Sequence, residues 1–323
     1  MNKRSVMVGG LRMNVVEAGS GPDVVVLLHG FLNYSYSWRH QVRDLAAAGY
    51  RVLAPDLRGY GETGCPEDVE QYSMLHLVAD VVGLLDAFGI ERATVVGHDW
   101  GSVLAWHTAL LRPDRVRGVV GLSVPYVPRA DISLLTAMRE RFGDLYYMQY
   151  FQEVGPADRE LARDVAATFR SVLSSGSEPW NPVLPEGGGW LDCLPDKGIP
   201  DWLTAADLDA HVAAFERSGF TGALNWYRNI DRNHELTAAW QGAKIQVPAL
   251  FLYGTRDAFG RYASELIDDL PRSVPDLRSV VRLDAGHWVQ QERPDEVTAA
   301  LVDFLERDRD RDGARPMPVG AAL

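Results

Sequence analysis

Over the first 125 residues, apolar runs of strand length alternate with segments whose apolar positions recur at helical spacing. Residues 5–8 and 13–17, joined through Gly9-Gly10, predict a β-hairpin. Val24–Leu28 is apolar without interruption, as a strand covered on both faces must be, and a helical pattern follows over 36–48. Strand 50–54 precedes helix 75–88, strand 94–97 precedes a helix opening at Ser102, and Val116–Leu122 is a further strand. This alternation predicts a mostly parallel, doubly wound α/β sheet with helices on both faces. It stops at Pro125. Residues 126–241 carry helical patterns and no β run. Within them, 174–200 is dense in Gly, Pro and Ser around Gly187-Gly188-Gly189 and reads as a long loop without structure of its own. Strand patterns return at 248–253 and 280–283, and a helix at 294–306 closes the series. The expected organisation is a core domain of residues 1–125 and 242–306, an inserted helical lid at 126–241, and a disordered charged tail at 307–323.

Composition removes several function classes. At 323 residues and 46% hydrophobic content, the chain can fill a sizeable core. Its formal net charge of −12 opposes a nucleic-acid surface, whose footprint is basic. Cys65 and Cys193 are the only cysteines, too few for a disulfide framework, and none of the eight histidines forms a His-x-x-x-His pair. Gly9-Gly10-Leu11-Arg12 interrupts any signal-peptide core behind the basic Met1-Asn2-Lys3-Arg4, and no apolar run approaches the ~20 residues of a membrane span. A cytoplasmic protein without metal, membrane or nucleic-acid partner is expected.

Gly97-His98-Asp99-Trp100-Gly101 joins the strand at 94–97 to the following helix. Small–x–nucleophile–x–small between strand and helix is the nucleophile elbow, where glycines permit a tight, strained turn. Here Asp99 takes the place a hydrolase ordinarily gives to Ser. Alone, an Asp at this point serves equally as a helix N-cap. Two more residues shift the balance. Asp257 follows the strand at 248–253, and His287 follows 280–283 in Ala285-Gly286-His287-Trp288. Singly, these are a turn residue and a loop histidine. Together they give nucleophile, acid and His in elbow order, each at the carboxyl end of a strand, where open α/β sheets place their sites. His29-Gly30-Phe31-Leu32 also follows a strand, so the backbone N–H groups of Phe31 and Trp100 are the candidate oxyanion donors. His29 and His98 fall outside the triad order and read as structural, fastening their two loops together.

Aspartate in place of serine narrows the chemistry. A serine attacking saturated carbon would form an ether that the site could not cleave. An aspartate forms an ester, whose carbonyl water can then attack with His287 as base and Asp257 orienting it. The elbow therefore implies displacement at sp³ carbon, with an epoxide or a carbon–halogen bond as target. Gly121-Leu122-Ser123-Val124-Pro125 lacks the second Gly of a serine elbow. Opening an epoxide needs a donor able to surrender a proton, for which tyrosine, with its reference pKa of ~10, is suited. Tyr146-Tyr147-Met148-Gln149-Tyr150 and Asn225-Trp226-Tyr227-Arg228-Asn229 in the expected lid supply candidates, although aromatic helix faces are also ordinary core.

These segments resemble the epoxide hydrolases of the α/β-hydrolase superfamily, closest to the soluble type and its bacterial members. The likeness rests on His29-Gly30-Phe31, Ser37-Trp38-Arg39, Asp56-Leu57-Arg58-Gly59-Tyr60-Gly61, residues 97–101, 150–155 and 224–229, and Gly286-His287-Trp288, and it spans 15–305. It implies an α/β-hydrolase fold, no cofactor and no metal, and conversion of a small-molecule epoxide to a vicinal diol by a monomer or a homodimer. It also implies Asp99 as nucleophile, His287 as base, Asp257 as acid, and Tyr147 and Tyr227 as lid donors, with Tyr146 and Tyr150 as the alternatives to Tyr147. One departure stands out: the family usually has Pro, often after a cis bond, where this chain has Leu32, so the turn is either strained or rebuilt in trans. The runner-up is a haloalkane or haloacid dehalogenase with the same triad, disfavoured by the lid tyrosines and by Phe31 where many haloalkane dehalogenases have a halide-binding Asn. A non-catalytic binding protein of this fold is disfavoured by the complete triad.

Overall fold

The computed structural model of the protein describes residues 1–176, 180–194, 196–258 and 264–314, with side chains described through 309. Eight strands make one sheet: β1 (Asn2–Val8), β2 (Leu11–Ala18), β3 (Val24–Leu28), β4 (Arg51–Pro55), β5 (Ala93–His98), β6 (Val116–Leu122), β7 (Ala249–Gly254) and β8 (Leu277–Leu283). Their spatial order is β1-β2-β4-β3-β5-β6-β7-β8. The hairpin β1–β2 and the β2–β4 pair are antiparallel, and every pairing from β4 through β8 is parallel. Parallel strands need crossovers, and helices supply them.

The period of two decides what each face buries. On β3, Val24, Val26 and Leu28 join the core under α2 (Met74–Ala87) and α3 (Trp100–Leu111), while Val25 and Leu27 join the core under α1 (Arg39–Ala47). Between β6 and β7 the chain runs through α4 (Leu134–Phe142), α5 (Tyr147–Tyr150), α6 (Pro156–Ala162), α7 (Val165–Ser175), α8 (Ala205–Ser218), α9 (Thr221–Arg228) and α10 (Ile230–Leu236). Phe151, Phe169, Phe215 and Trp226 of this insertion belong to the same apolar cluster as α2 and α3, so it is seated on the sheet through continuous packing. After β7 come α11 (Ser264–Ser273), β8, α12 (Val289–Glu292) and α13 (Pro294–Ala314). Among the described residues no helix is long and apolar enough to cross a membrane.

Two expectations need correction. The closing helix α13 does not stop near residue 306 but continues to Ala314, through the first half of the expected disordered tail. Arg307 pairs with Asp303 one turn back at 2.9 Å, and Arg309 reaches Asp23 at 2.9 Å while lying over the Tyr50 ring, so the charges that suggested disorder anchor the helix instead. The stretch 174–200 also has structure of its own. Val183 bridges to Tyr146, a 3₁₀ turn forms at Leu191–Cys193, and the Glu160 carboxylate accepts the N–H groups of Trp190 and Leu191 at 3.1 and 2.9 Å. Residues 177–179 and 195 of that stretch, and 315–323 of the tail, lie outside the described residues.

Candidate active site

β5 ends at His98 and α3 begins at Trp100, so Asp99 alone reverses the chain, at φ +54° and ψ −121°. A Cβ on Gly97 would overlap the carbonyl oxygen of Gly101, and one on Gly101 would overlap those of Leu28 and His29, so the turn closes only with glycine at both places. The Asp99 side chain makes no capping bond into α3. Its Oδ1 accepts the Phe31 N–H at 2.7 Å, and the Trp100 N–H adds to the pull that favours the charged carboxylate. Burial pushes the Asp99 carboxyl above its ordinary value, against the pull of His287 and the two amides. The Phe31–Leu32 turn is rebuilt in trans, with Leu32 fully buried at φ +54° and the Asn33 N–H closing the turn on the Gly30 carbonyl at 3.2 Å. A left-handed leucine is strained, and the apolar core around its side chain holds it there.

Asp257, His287 and Asp99 meet at the carboxyl edge of the sheet. His287 Nδ1 lies 3.0 Å from Asp257 Oδ2, and its Nε2 lies 3.7 Å from Asp99 Oδ2. Burial alone would lower the imidazole, but Asp257, then Asp99 and Glu292, outweigh it and hold His287 at about 9. The two Asp99 oxygens therefore have different surroundings: Oδ1 faces backbone amides and Oδ2 faces the imidazole.

The tyrosines arrive from two helices that lock together. Gln152 donates from its side-chain amide to the Tyr227 carbonyl at 3.2 Å, and Arg228 donates to the Phe151 carbonyl at 3.1 Å and pairs with Asp158 at 2.5 Å. Tyr147 on α5 and Tyr227 on α9 then stand with ring centroids 6.2 Å apart at 72°. Burial raises both phenols well above 10, and the Asp99 carboxylate adds to the rise in each, so both hydroxyls lie within its field. Tyr150 is instead influenced by burial and Glu160, and Tyr146 by burial with Tyr147 and Arg141, which sets Tyr147 apart from its two neighbours.

Other groups at the site were not legible as such. Trp190, from the Gly-rich stretch, packs 5.9 Å from Phe31 and 5.2 Å from Phe151, and lies nearly parallel to Tyr147 at 6.3 Å. Its signal was only a Trp after three glycines. His29 and His98 do fasten loops, though not to one another. The His29 Nε2 accepts the Leu57 N–H at 2.9 Å, and the His98 Nε2 lies 2.7 Å from the His287 carbonyl oxygen. Ser123, dismissed as a failed serine elbow, donates its hydroxyl to that same carbonyl at 2.9 Å. Among the described residues no group of three or more His, Cys, Asp or Glu could hold a metal ion.

Comparison with known proteins gives the family. Residues 23–294 match the α/β-hydrolase fold family. The chain is 49% identical to Epoxide hydrolase A of Mycobacterium tuberculosis over 94% of its own length and 97% of that protein. It is 44% identical to Epoxide hydrolase 3 of Siraitia grosvenorii, over 94% of this chain and 98% of that one. The crystal structure of Epoxide Hydrolase A from Mycobacterium thermoresistibile superposes with a TM-score of 0.91 at 47% identity, covering 94% of this chain and 98% of its own. With the elbow aspartate, the His–Asp pair and the two buried phenols in one site, and relatives this similar along nearly the whole length, the chain belongs to the epoxide hydrolases of the α/β-hydrolase fold family.

Proposed function

We propose that the protein converts a small-molecule epoxide to a vicinal diol in two steps at Asp99. In the first, Asp99 Oδ2 attacks an epoxide carbon, the carbon–oxygen bond of the ring breaks, and a phenol of Tyr147 or Tyr227 gives its proton to the departing oxygen. The second phenol holds that oxygen by a hydrogen bond. In the second step, water loses a proton to neutral His287 and attacks the ester carbonyl carbon of Asp99. The acyl–oxygen bond breaks, the diol leaves, and the carboxylate is restored with one oxygen from water. Asp257 orients the imidazole and stabilises its charged form, and residues 126–241 act as a lid over the core of 1–125 and 242–306. Cytoplasmic residence completes this reading, since two cysteines cannot form a disulfide framework.

The observation that carries the proposal is the division of labour on one carboxylate. Oδ1 sits 2.7 Å from the Phe31 N–H, where the carbonyl oxygen of an ester would be polarised, and Oδ2 is left facing the space beside His287. His287→Gln tests it. Mixed with a slowly hydrolysed epoxide, this variant should accumulate protein heavier by one epoxide mass, with the adduct on the peptide containing Asp99. An unmodified protein under those conditions, or diol formation surviving in Asp99→Ala, would overturn the mechanism.

A further inference from the structure

In the loop Gly286-His287-Trp288, three backbone N–H groups and the His287 carbonyl are tied down around the imidazole. Glu292 accepts the N–H groups of Gly286 and Trp288 at 2.8 and 3.1 Å, and the His287 N–H donates to the Gly176 carbonyl, at the end of α7, at 2.7 Å. The His287 carbonyl takes two donors at once, His98 Nε2 at 2.7 Å and Ser123 Oγ at 2.9 Å. Opposite a carbonyl, His98 Nε2 must carry the proton, and burial keeps the ring neutral beside the His287 ring 4.8 Å away. Neither donor sits there by default. Ser123 holds φ +66°, a left-handed value that a serine adopts at a cost, and both residues are fully buried. A strained backbone directed to one carbonyl of one histidine needs a reason.

We propose that His98 and Ser123 are positioning residues for the hydrolytic step, clamping the His287 peptide so that the imidazole keeps its approach to the water that attacks the ester. The clamp rests on the reading of His287 as base. It matters to the second step alone: in the first, Asp99 attacks and a phenol donates, and His287 moves no proton. An orientation error of ~1 Å is enough to cost on the order of a hundredfold in a proton transfer, and losing one of two holding bonds should cost about tenfold.

Ser123→Gly is the cleanest variant, because glycine adopts φ +66° freely and the change removes just the CH2OH group that carries the donor. In single-turnover mass spectrometry with an epoxide, ester formation should keep its wild-type rate while ester decay slows about tenfold. In steady state, kcat and KM should fall together with kcat/KM unchanged, a split that general distortion of the site would not produce. His98→Phe, which keeps a ring and deletes the donor, should slow decay in the same sense. Unchanged decay in Ser123→Gly overturns the clamp, as does equal slowing of formation and decay. His287→Gln is run alongside: if it accumulates ester while Ser123→Gly decays normally, only the clamp fails, and if it accumulates none, the base assignment and the clamp fail together.

Discussion

Gly30→Ala is the sharpest perturbation the oxyanion site offers. A Cβ built on Gly30 would stand 2.5 Å from the Asp99 Cβ and 2.7 Å from the His98 carbonyl oxygen, and closer still to Asp99 Oδ1. Carbon–carbon contacts are comfortable at about 3.5–4.0 Å, so something must move by ~1 Å. The Asp99 backbone is a poor candidate, since its N–H is tied to the Leu122 carbonyl at 3.2 Å and Gly97 and Gly101 close the elbow without slack. Either the carboxylate rotates or the Phe31 segment withdraws, and both break the 2.7 Å bond from the Phe31 N–H to Oδ1. Overpacking of this kind costs about 1–3 kcal/mol in stability, which a domain of this size tolerates, whereas losing one oxyanion donor costs about 10²–10³ in rate. Rapid-quench mass spectrometry should therefore find ester hydrolysis at least about a hundredfold slower in a variant that still melts cooperatively. Hydrolysis within about threefold of wild type, with an intact melt, would mean that the amide of Phe31 does not stabilise the oxyanion and that the Asp99–Phe31 contact has been misread.

The phenols and the histidine give further tests. Tyr147→Phe and Tyr227→Phe should each slow ester formation by about 10–10²-fold and leave its decay nearly unchanged, with the double variant close to inactive; rapid-quench rates check this, and an unimpaired single variant would move the role to another donor. For stability, the His287 imidazole titrates at about 9 in the folded protein against 6.5 ordinarily, so the folded state holds the proton more tightly. A raised value stabilises fully below pH 6.5, and the gain is lost as pH rises through 9. Relative to His287→Gln, wild type should lose about 3 kcal/mol of unfolding free energy between pH 6.5 and 9.5, read from urea melts at both pH values. An equal pH dependence in the two proteins would show that the charge pairing with Asp257 and Asp99 is absent.

The sequence exposed the fold wherever burial was two-sided and periodic. Val24–Leu28 coincides with β3 to the residue, because an uninterrupted apolar run between polar turns admits few alternatives, and Val116–Leu122 coincides with β6 although Arg117 interrupts its run. Elsewhere, strands extend beyond the apolar run: β8 starts at Leu277, three residues before the pattern at 280–283, because the polar Arg278 and Ser279 at the start of this edge strand carry no apolar signal. The elbow and the two strand-end residues were legible because the chain order of an elbow hydrolase is fixed by topology. What could not be read were contacts made through main-chain atoms. Nothing in the letters Gly176, Ser123 or Glu292 says that a carbonyl, a hydroxyl and a carboxylate converge on the His287 loop from three separate segments. The helical tail was missed for a related reason: Arg309 finds Asp23, 286 residues away, and no local pattern predicts that contact.

The proposed mechanism has to turn a histidine held at about 9 into a base, and the contact with Asp99 offers a route. In the resting site, Asp99 Oδ2 lies 3.7 Å from His287 Nε2, and the Asp99 carboxylate is, after Asp257, one of the groups that raise the imidazole. Two unit charges at this separation attract by about 1 kcal/mol in water and by about 4 kcal/mol at an effective dielectric of ~20, and the side chains here are mostly shielded from solvent. Attack on the epoxide turns the carboxylate into a neutral ester and removes that attraction in a single event. The imidazole titration must then fall from about 9 toward neutral pH, by about one pH unit for each 1.4 kcal/mol lost. The same event leaves a phenolate on Tyr147 or Tyr227, buried where burial and neighbouring groups already hold the phenol well above 10. One group must lose a proton and another must gain one, and the driving force runs from imidazolium to phenolate. Ester formation therefore produces the neutral base that ester hydrolysis needs and restores the acid for the next turnover, without a net proton taken from solvent. A serine at position 99 would carry no charge to lose, so aspartate at the elbow supplies both a cleavable intermediate and the signal that switches His287 from cation to base.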